Sequence, residues 1–200
     1  MIKFQNEKIN NIIICKNEKI IFKIKKKIKR NKIKKGNIYN FKSKLYHPYY
    51  KNTNLHTLKS ITKSITTLLY GIAIKNNHIK QNIDNDFITK YFKDYNKYFI
   101  EDPLKNKIKI KHLFTMTSGL NGFSNVSSDK NNNKRPNYLM QLSDDWVDFI
   151  LKIKVIKKPG TYFEYKDFDT ILLSYIFTKI TSYTLDEYAN KYLFSKLKIK

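Results

Sequence analysis

The chain has 200 residues, 41% hydrophobic and 14% aromatic, enough to bury a core and too apolar for general disorder. Its formal net charge is +24, but of 40 basic residues only Arg30 and Arg135 are arginine. Base reading and phosphate clamping favour arginine's planar fork, so a solvated basic surface is expected rather than a specific nucleic-acid partner.

The abundance of Lys, Asn, Ile, Tyr and Phe matches A/T-rich codon usage, which accounts for much of the charge without a polyanion. Cys15 is the only cysteine, which excludes an intrachain disulfide and a cysteine metal cluster. No run approaches the ~18 apolar residues of a membrane span. Ile12-Ile13-Ile14-Cys15 is too short for a secretory h-region; with Met1 as the true start, the chain begins in the cytosol.

Residues 9–24 read as a hairpin, two β-branched runs (Asn11–Cys15 and Lys19–Lys23) around a turn at Lys16-Asn17-Glu18. Residues 25–54 are basic and polar without a clear period, and Lys23–Lys35 is the densest basic run. A helix is predicted over 58–75, broken by Asn76-Asn77-His78. Ile83–Tyr98 is mixed, with Asp84 and Asp86 near a helix start. Ile108–Leu120 begins with alternation and continues as a short helix, for which Gly119 is the natural stop. Asn121–Asn137 reads as a polar loop, and Ser143-Asp144-Asp145-Trp146 opens another helix with an N-cap. Pro159-Gly160 is a turn, Thr170–Thr181 an apolar helix, and Leu185–Leu197 a final amphipathic one. Helices dominate, and there are no repeats.

The chemistry concentrates at Ser60-Ile61-Thr62-Lys63. A serine and a lysine one helical turn apart share a face, so the amine can reach the hydroxyl and activate it without a histidine. With this much lysine about two such pairs are expected by chance, and three occur: Ser60/Lys63, Ser127/Lys130 and Ser195/Lys198. The second lies in the polar loop and the third at the chain's end. On a helix, Ile61, Ile65, Leu68, Leu69 and Ile72 form one apolar stripe. Ser60, Lys63, Ser64, Thr67 and Gly71 fall on a different face, with Gly71 leaving room for close packing. Ser60 at the helix N-terminus would also meet backbone N–H groups that favour developing negative charge. The plainer role for Ser60 is an N-cap.

Three segments, taken together and in this order, resemble the serine β-lactamase and penicillin-binding-protein family, in its class C-related serine hydrolase branch. Leu55–Ser64 resembles the nucleophile segment. Ile110-Lys111-His112-Leu113-Phe114-Thr115-Met116-Thr117-Ser118-Gly119-Leu120 resembles the family's His-Leu-Leu-Thr-Met-Thr-Ser-Gly-Leu signature. Pro159-Gly160-Thr161-Tyr162-Phe163-Glu164-Tyr165, followed by Leu172-Leu173-Ser174, resembles its Pro-Gly-x-x-Phe-x-Tyr-Ser-Asn segment. The resemblance runs from about Asn11 to the end of the chain. It implies an α+β, β-lactamase/transpeptidase-like fold in one partial domain over 1–200. That domain would comprise a strand hairpin at about 9–24 and a helical region at about 55–200. It also implies three catalytic residues: Ser60 as nucleophile, Lys63 as proton acceptor, and Tyr165 passing the proton to the leaving group. The substrate implied is a small molecule or peptide with a reactive carbonyl, with no cofactor and no metal.

Two departures stand out. Asp167 occupies the place of the usual Asn, or Ser in some relatives, two residues after Tyr165. A carboxylate near Lys63 opposes its use as a base, and Lys166 is expected to offset part of this. The third family motif, Lys-Thr-Gly or His-x-Gly on a late strand, has no counterpart, so the C-terminal sheet strands are expected to be lacking. In relatives that strand supplies an oxyanion N–H worth on the order of 3 kcal/mol. Three readings follow: a β-lactamase-related serine hydrolase, probed by Ser60→Ala; a catalytically inactive fragment or scaffold of the same family; and a polyanion binder, which would show a steep salt dependence.

Overall fold

Strand-forming β-branched residues either side of Asn17-Glu18 give the hairpin in the computed structural model, which describes residues 11–25, 58–122, 139–140 and 142–199. The chain divides into two compact units, Met1–Asn40 and Phe41–Lys200. In the first, β1 (Asn11–Lys16) pairs antiparallel with β2 (Lys19–Lys25), Ile14 opposite Phe22. Asn17 and Glu18 take positive φ, 49° and 62°, the two left-handed residues that match a tight turn to the strands' twist. An irregularity between Ile14 and Cys15 shifts the register. Ile13, Ile14, Ile20, Ile21 and Phe22 are all exposed. The expected basic stretch beyond Lys25, most of the run Lys23–Lys35, the pair Ser127/Lys130, residues Leu55-His56-Thr57 and most of the Asn121–Asn137 loop lie outside the described residues.

The second unit is helical. Its helices are α1 (Ile61–Lys75), α2 (Lys97–Glu101), α3 (Ile110–Phe114), α4 (Trp146–Lys152), α5 (Phe168–Thr181) and α6 (Leu185–Ala189). Residues 83–95, mixed in pattern, make only short 3-10 turns. The acidic stretch before α4 resolves to one cap: Asp145 accepts from the amides of Val147 and Asp148. After α6 the chain continues as a π-helical turn over Asn190–Phe194.

The core is organised around α5, which buries Phe168, Asp169, Leu172, Leu173, Ile176 and Phe177. Tyr70 of α1 is fully enclosed there. Its hydroxyl donates to the Leu173 carbonyl at 2.7 Å, and its ring meets Phe114 and Phe177 edge-on at 4.9 and 5.1 Å. Such edge-on pairs contribute ~0.5–1.5 kcal/mol beyond burial. Burial, with Tyr91 nearby, drives the Tyr70 phenol well above its ordinary pKa, so it stays a donor. Tyr70 thereby fixes α1 against α5.

The face that α1 buries only partly coincides with the aliphatic stripe: Leu69 is buried and Ile65 and Ile72 pack against the core. Thr66, Leu69, Tyr70 and Ala73 face the core, whereas Ile61 and Leu68 are 61% and 50% exposed. One large aromatic with a polar tip outcompetes two isoleucine-type positions because it fills the α3–α5 junction and satisfies a hydroxyl at once. Gly71 does not mediate close packing either: no heavy atom among the described residues lies within 4 Å of where its Cβ would be.

Gly119 has a different job from the helix stop expected of it. α3 ends at Phe114, and the chain reverses at Met116, with φ 53°. Gly119, at φ 77°, lets the chain press against 155–157, where an added Cβ would sit 2.0 Å from the Lys157 carbonyl oxygen. Its own carbonyl accepts from the Ile156 and Lys157 amides.

Candidate active site

Ser60 stands at the entrance of α1, in the N-cap position, yet its side chain caps nothing. The preceding residue, Lys59, holds a left-handed conformation at φ 47°. A non-glycine residue there costs on the order of 1 kcal/mol. It turns the chain sharply into the helix, with the Thr62 amide donating to the Lys59 carbonyl at 3.0 Å. The free Ser60 hydroxyl instead accepts from the Lys63 ammonium, Nζ to Oγ 3.3 Å. Ser195 shows the contrast, because its hydroxyl donates to the Lys191 carbonyl at 2.8 Å.

Lys63 reaches across to the segment before α5. Its ammonium pairs with the Asp167 carboxylate and lies 5.1 Å from the centre of the Tyr165 ring. Burial pulls the ammonium's pKa down, but Asp167 and, less strongly, Tyr165 outweigh it, so the net displacement is upward. Ser60, Lys63 and Tyr165 are thus gathered at one place, with Asp167 as a fourth member. Tyr165 is 58% exposed and stands beside two other exposed rings, Tyr162 and Phe163.

Tyr165 and Asp167 are brought to Lys63 by a strap that runs along the second signature. Gly160, at φ 86°, donates its amide to the Thr117 carbonyl at 2.8 Å. The Glu164 amide donates to the Met116 carbonyl at 3.0 Å, and the Glu164 carboxylate accepts from the Gly122 amide at 2.8 Å. His112 lies beneath the turn, its Nε2 3.0 Å from where a Gly160 Cβ would be. Its Nδ1 accepts from the Lys109 amide at 3.1 Å. Burial and the neighbouring Lys111 and Lys109 lower its pKa, which keeps the ring neutral at pH 7.

Lys166, expected to offset part of the Asp167 charge, meets two other acids. It turns into the interior, where its ammonium meets the Glu164 carbonyl at 3.4 Å, the Glu164 carboxylate at 3.7 Å and Asp169 Oδ2 at 3.8 Å. Asp169 is wholly buried and accepts from the Ser118 hydroxyl through Oδ1 at 2.7 Å. Its Oδ2 accepts no hydrogen bond among the described residues. Burial raises the Asp169 pKa to about 6, Lys166 and Ser118 pulling the other way and Glu164 adding to the rise. Nothing in the sequence marked this cluster, because a lysine and two acids near a tyrosine look like any polar stretch.

No group of three or more His, Cys, Asp or Glu side chains among the described residues is arranged to hold a metal ion. No helix among them is long and apolar enough to cross a membrane.

Residues 40–200 match the protein family described as Beta-lactamase. The match starts later than the resemblance placed from about Asn11, and the hairpin lies outside it. Among curated proteins the chain is 27% identical, over 164 residues, to "Putative D-alanyl-D-alanine carboxypeptidase" of Salmonella agona strain SL483. The same values hold for the proteins so named in Salmonella newport strain SL254 and Salmonella enteritidis PT4 strain P125109. Each alignment covers 81% of this chain and 37% of the relative, so the chain spans well under half the length of the curated proteins it matches.

Proposed function

Because the chain belongs to the β-lactamase family, we propose that it carries the acyl-transfer centre of a serine hydrolase, with Ser60 as nucleophile. The observation that carries this reading is the Lys63 ammonium 3.3 Å from a Ser60 hydroxyl that makes no helix cap. Ser60 Oγ attacks a carbonyl carbon while its proton passes to neutral Lys63. The leaving group departs with a proton routed through Lys63 and Tyr165, leaving an acyl ester on Ser60 that water then cleaves. The relatives' printed name makes a peptide ending in D-alanyl-D-alanine the first substrate to try; esters and β-lactams share the same reactive carbonyl. The reading treats residues 1–200 as part of one β-lactamase-related domain.

A second reading, a non-catalytic scaffold of the same family, is favoured by Asp167. Its carboxylate holds Lys63 charged and so withdraws the base that the chemistry requires.

Labelling separates the two. Incubated with a fluorescent penicillin or a fluorophosphonate, the wild-type chain should acquire one acyl or one phosphonyl group respectively, detected by intact mass, and Ser60→Ala none. Equal labelling of both, or an unmodified wild-type mass at millimolar probe, rejects the hydrolase.

A further inference from the structure

Lysine is almost never enclosed unless it is paired and put to use, since burying its long stem and charge is costly. Two lysines among the described residues are enclosed, Lys105 and Lys166. Lys105 pairs with Asp102, whose carboxylate also accepts from the Val155 amide, well away from Ser60 in the chain. Lys166 is the residue between Tyr165 and Asp167, the two groups that face Lys63.

We propose that Lys166 is a positioning residue, its ammonium seated against the Glu164 carbonyl and between the Glu164 and Asp169 carboxylates so that Tyr165 and Asp167 are held toward Lys63. This rests on the reading of Ser60 and Lys63 given above. A side chain anchored in the interior fixes the backbone at residue 166. The residues on either side then have only their χ rotations left, and the phenol and carboxylate meet a target rather than search for it.

The anchor is closed at both ends. Ser118 donates to Asp169, tying the second signature to the first turn of α5, and Gly122, two residues past that signature, donates to Glu164. A Cβ at Gly122 would fall 2.7 Å from the Glu164 carboxylate, so a larger residue there would push that carboxylate aside. Lys166 thus sits where three pieces meet: the 116–122 segment, the strap and α5. A lysine at that junction moves Tyr165 if it moves at all.

The test uses the full chain and a fluorescent penicillin, with the acylation rate counted per reactive Ser60. Lys166→Met keeps the stem and removes the charge; it should slow acylation by about 10- to 100-fold with the probe's half-saturating concentration unchanged. Lys166→Arg should recover part of the rate. Lys105→Met loses a buried lysine of the same kind and should lower the melting temperature without changing the rate per reactive site. If Lys166→Met fails to fold, Asp169→Asn serves instead, because it keeps the Ser118 acceptor and removes one of the charges facing Lys166.

A second readout does not depend on catalysis. Amide hydrogen exchange in a peptide covering 161–169 should quicken about tenfold or more in Lys166→Met, while a peptide from α1 stays protected. An unlabelled wild type rejects the hydrolase reading and leaves exchange to decide the anchor. A labelled wild type whose rate per site is matched by Lys166→Met, or exchange unchanged at 161–169, overturns the anchor itself.

Discussion

Two lysine–carboxylate arrangements share the segment 164–169, and what separates them is access to water. Lys63 and Asp167 keep 16% and 39% of their side-chain surface exposed; Lys166 and Asp169 keep 3% and none. At the wet pair the ammonium holds a serine hydroxyl, a phenol and a carboxylate within reach. At the dry pair desolvation dominates, the carboxylate is pushed toward neutrality, and the contacts serve geometry. On the proposed reading, the same two residue types serve chemistry on one side and geometry on the other. Burial decides which.

The largest break in that contrast comes from Lys63. Lys63→Met should lower the acylation rate at Ser60 by about 100- to 10,000-fold, with the melting temperature nearly unchanged because the pair is partly solvated. Rates per reactive site with a fluorescent penicillin check this. A fall below tenfold moves the proton acceptor to another group.

Gly119→Ala strikes the frame that both sides share. Its Cβ would sit 2.0 Å from a backbone oxygen at a residue with φ 77°. Strain and overpacking together should cost roughly 2–5 kcal/mol, read as a lower urea midpoint with an unchanged slope. A variant as stable as wild type would show that the 116–122 segment and the strap separate easily.

The wet side was legible in the sequence and the dry side was not. Ser60, Lys63 and Tyr165 lie in stretches whose residue order resembles a family, and the structure brings them within one site. Helix existence was also legible, since periodicity reports it. The buried face of α1 was legible only in part, because the Ile and Leu stripe and the Tyr–Leu–Ala face share Leu69 and differ by a small rotation. The choice falls to Phe114 and Phe177, more than forty residues away. Gly119, expected as a helix stop, serves elsewhere: the contact that needs its positive φ is 38 residues downstream. Lys166 looked like a surface counter-charge, and only tertiary packing turns it inward.

The pH response sharpens the dry side. A carboxylate whose native pKa is raised to about 6 binds its proton more tightly in the folded chain than in the unfolded one. Stability from this group is therefore full below about pH 4 and falls as pH rises to 6. At ~1.4 kcal/mol per pH unit, charging Asp169 costs the fold about 3 kcal/mol. Urea titrations of wild type and Asp169→Asn at pH 4.5 and 7.5 isolate it, with the difference moving in favour of Asn at the higher pH. A difference independent of pH would mean that Asp169 titrates as an ordinary carboxylate.

The smallest effect lies at Asp167, and its sign is the informative part. Asp167 outweighs burial in setting the Lys63 pKa above its ordinary value. Neutral Lys63 is the scarce species at pH 7, and acylation should climb tenfold per pH unit toward that pKa. Asp167→Asn removes the carboxylate, so the climb should begin at lower pH and the rate at pH 8 should rise. The stability change runs opposite. A lysine with a raised native pKa stabilises the fold at all pH values below 10.5, and that contribution fades as pH passes the native value. Asn should therefore lower stability at pH 7, by less than ~1 kcal/mol for a pair this exposed. A pH–rate profile and a urea titration on the same variant read both. Faster acylation with slightly lower stability means that the carboxylate restrains the base. Slower acylation means that it orients the amine toward Ser60, and the alkaline climb should then stay where it was.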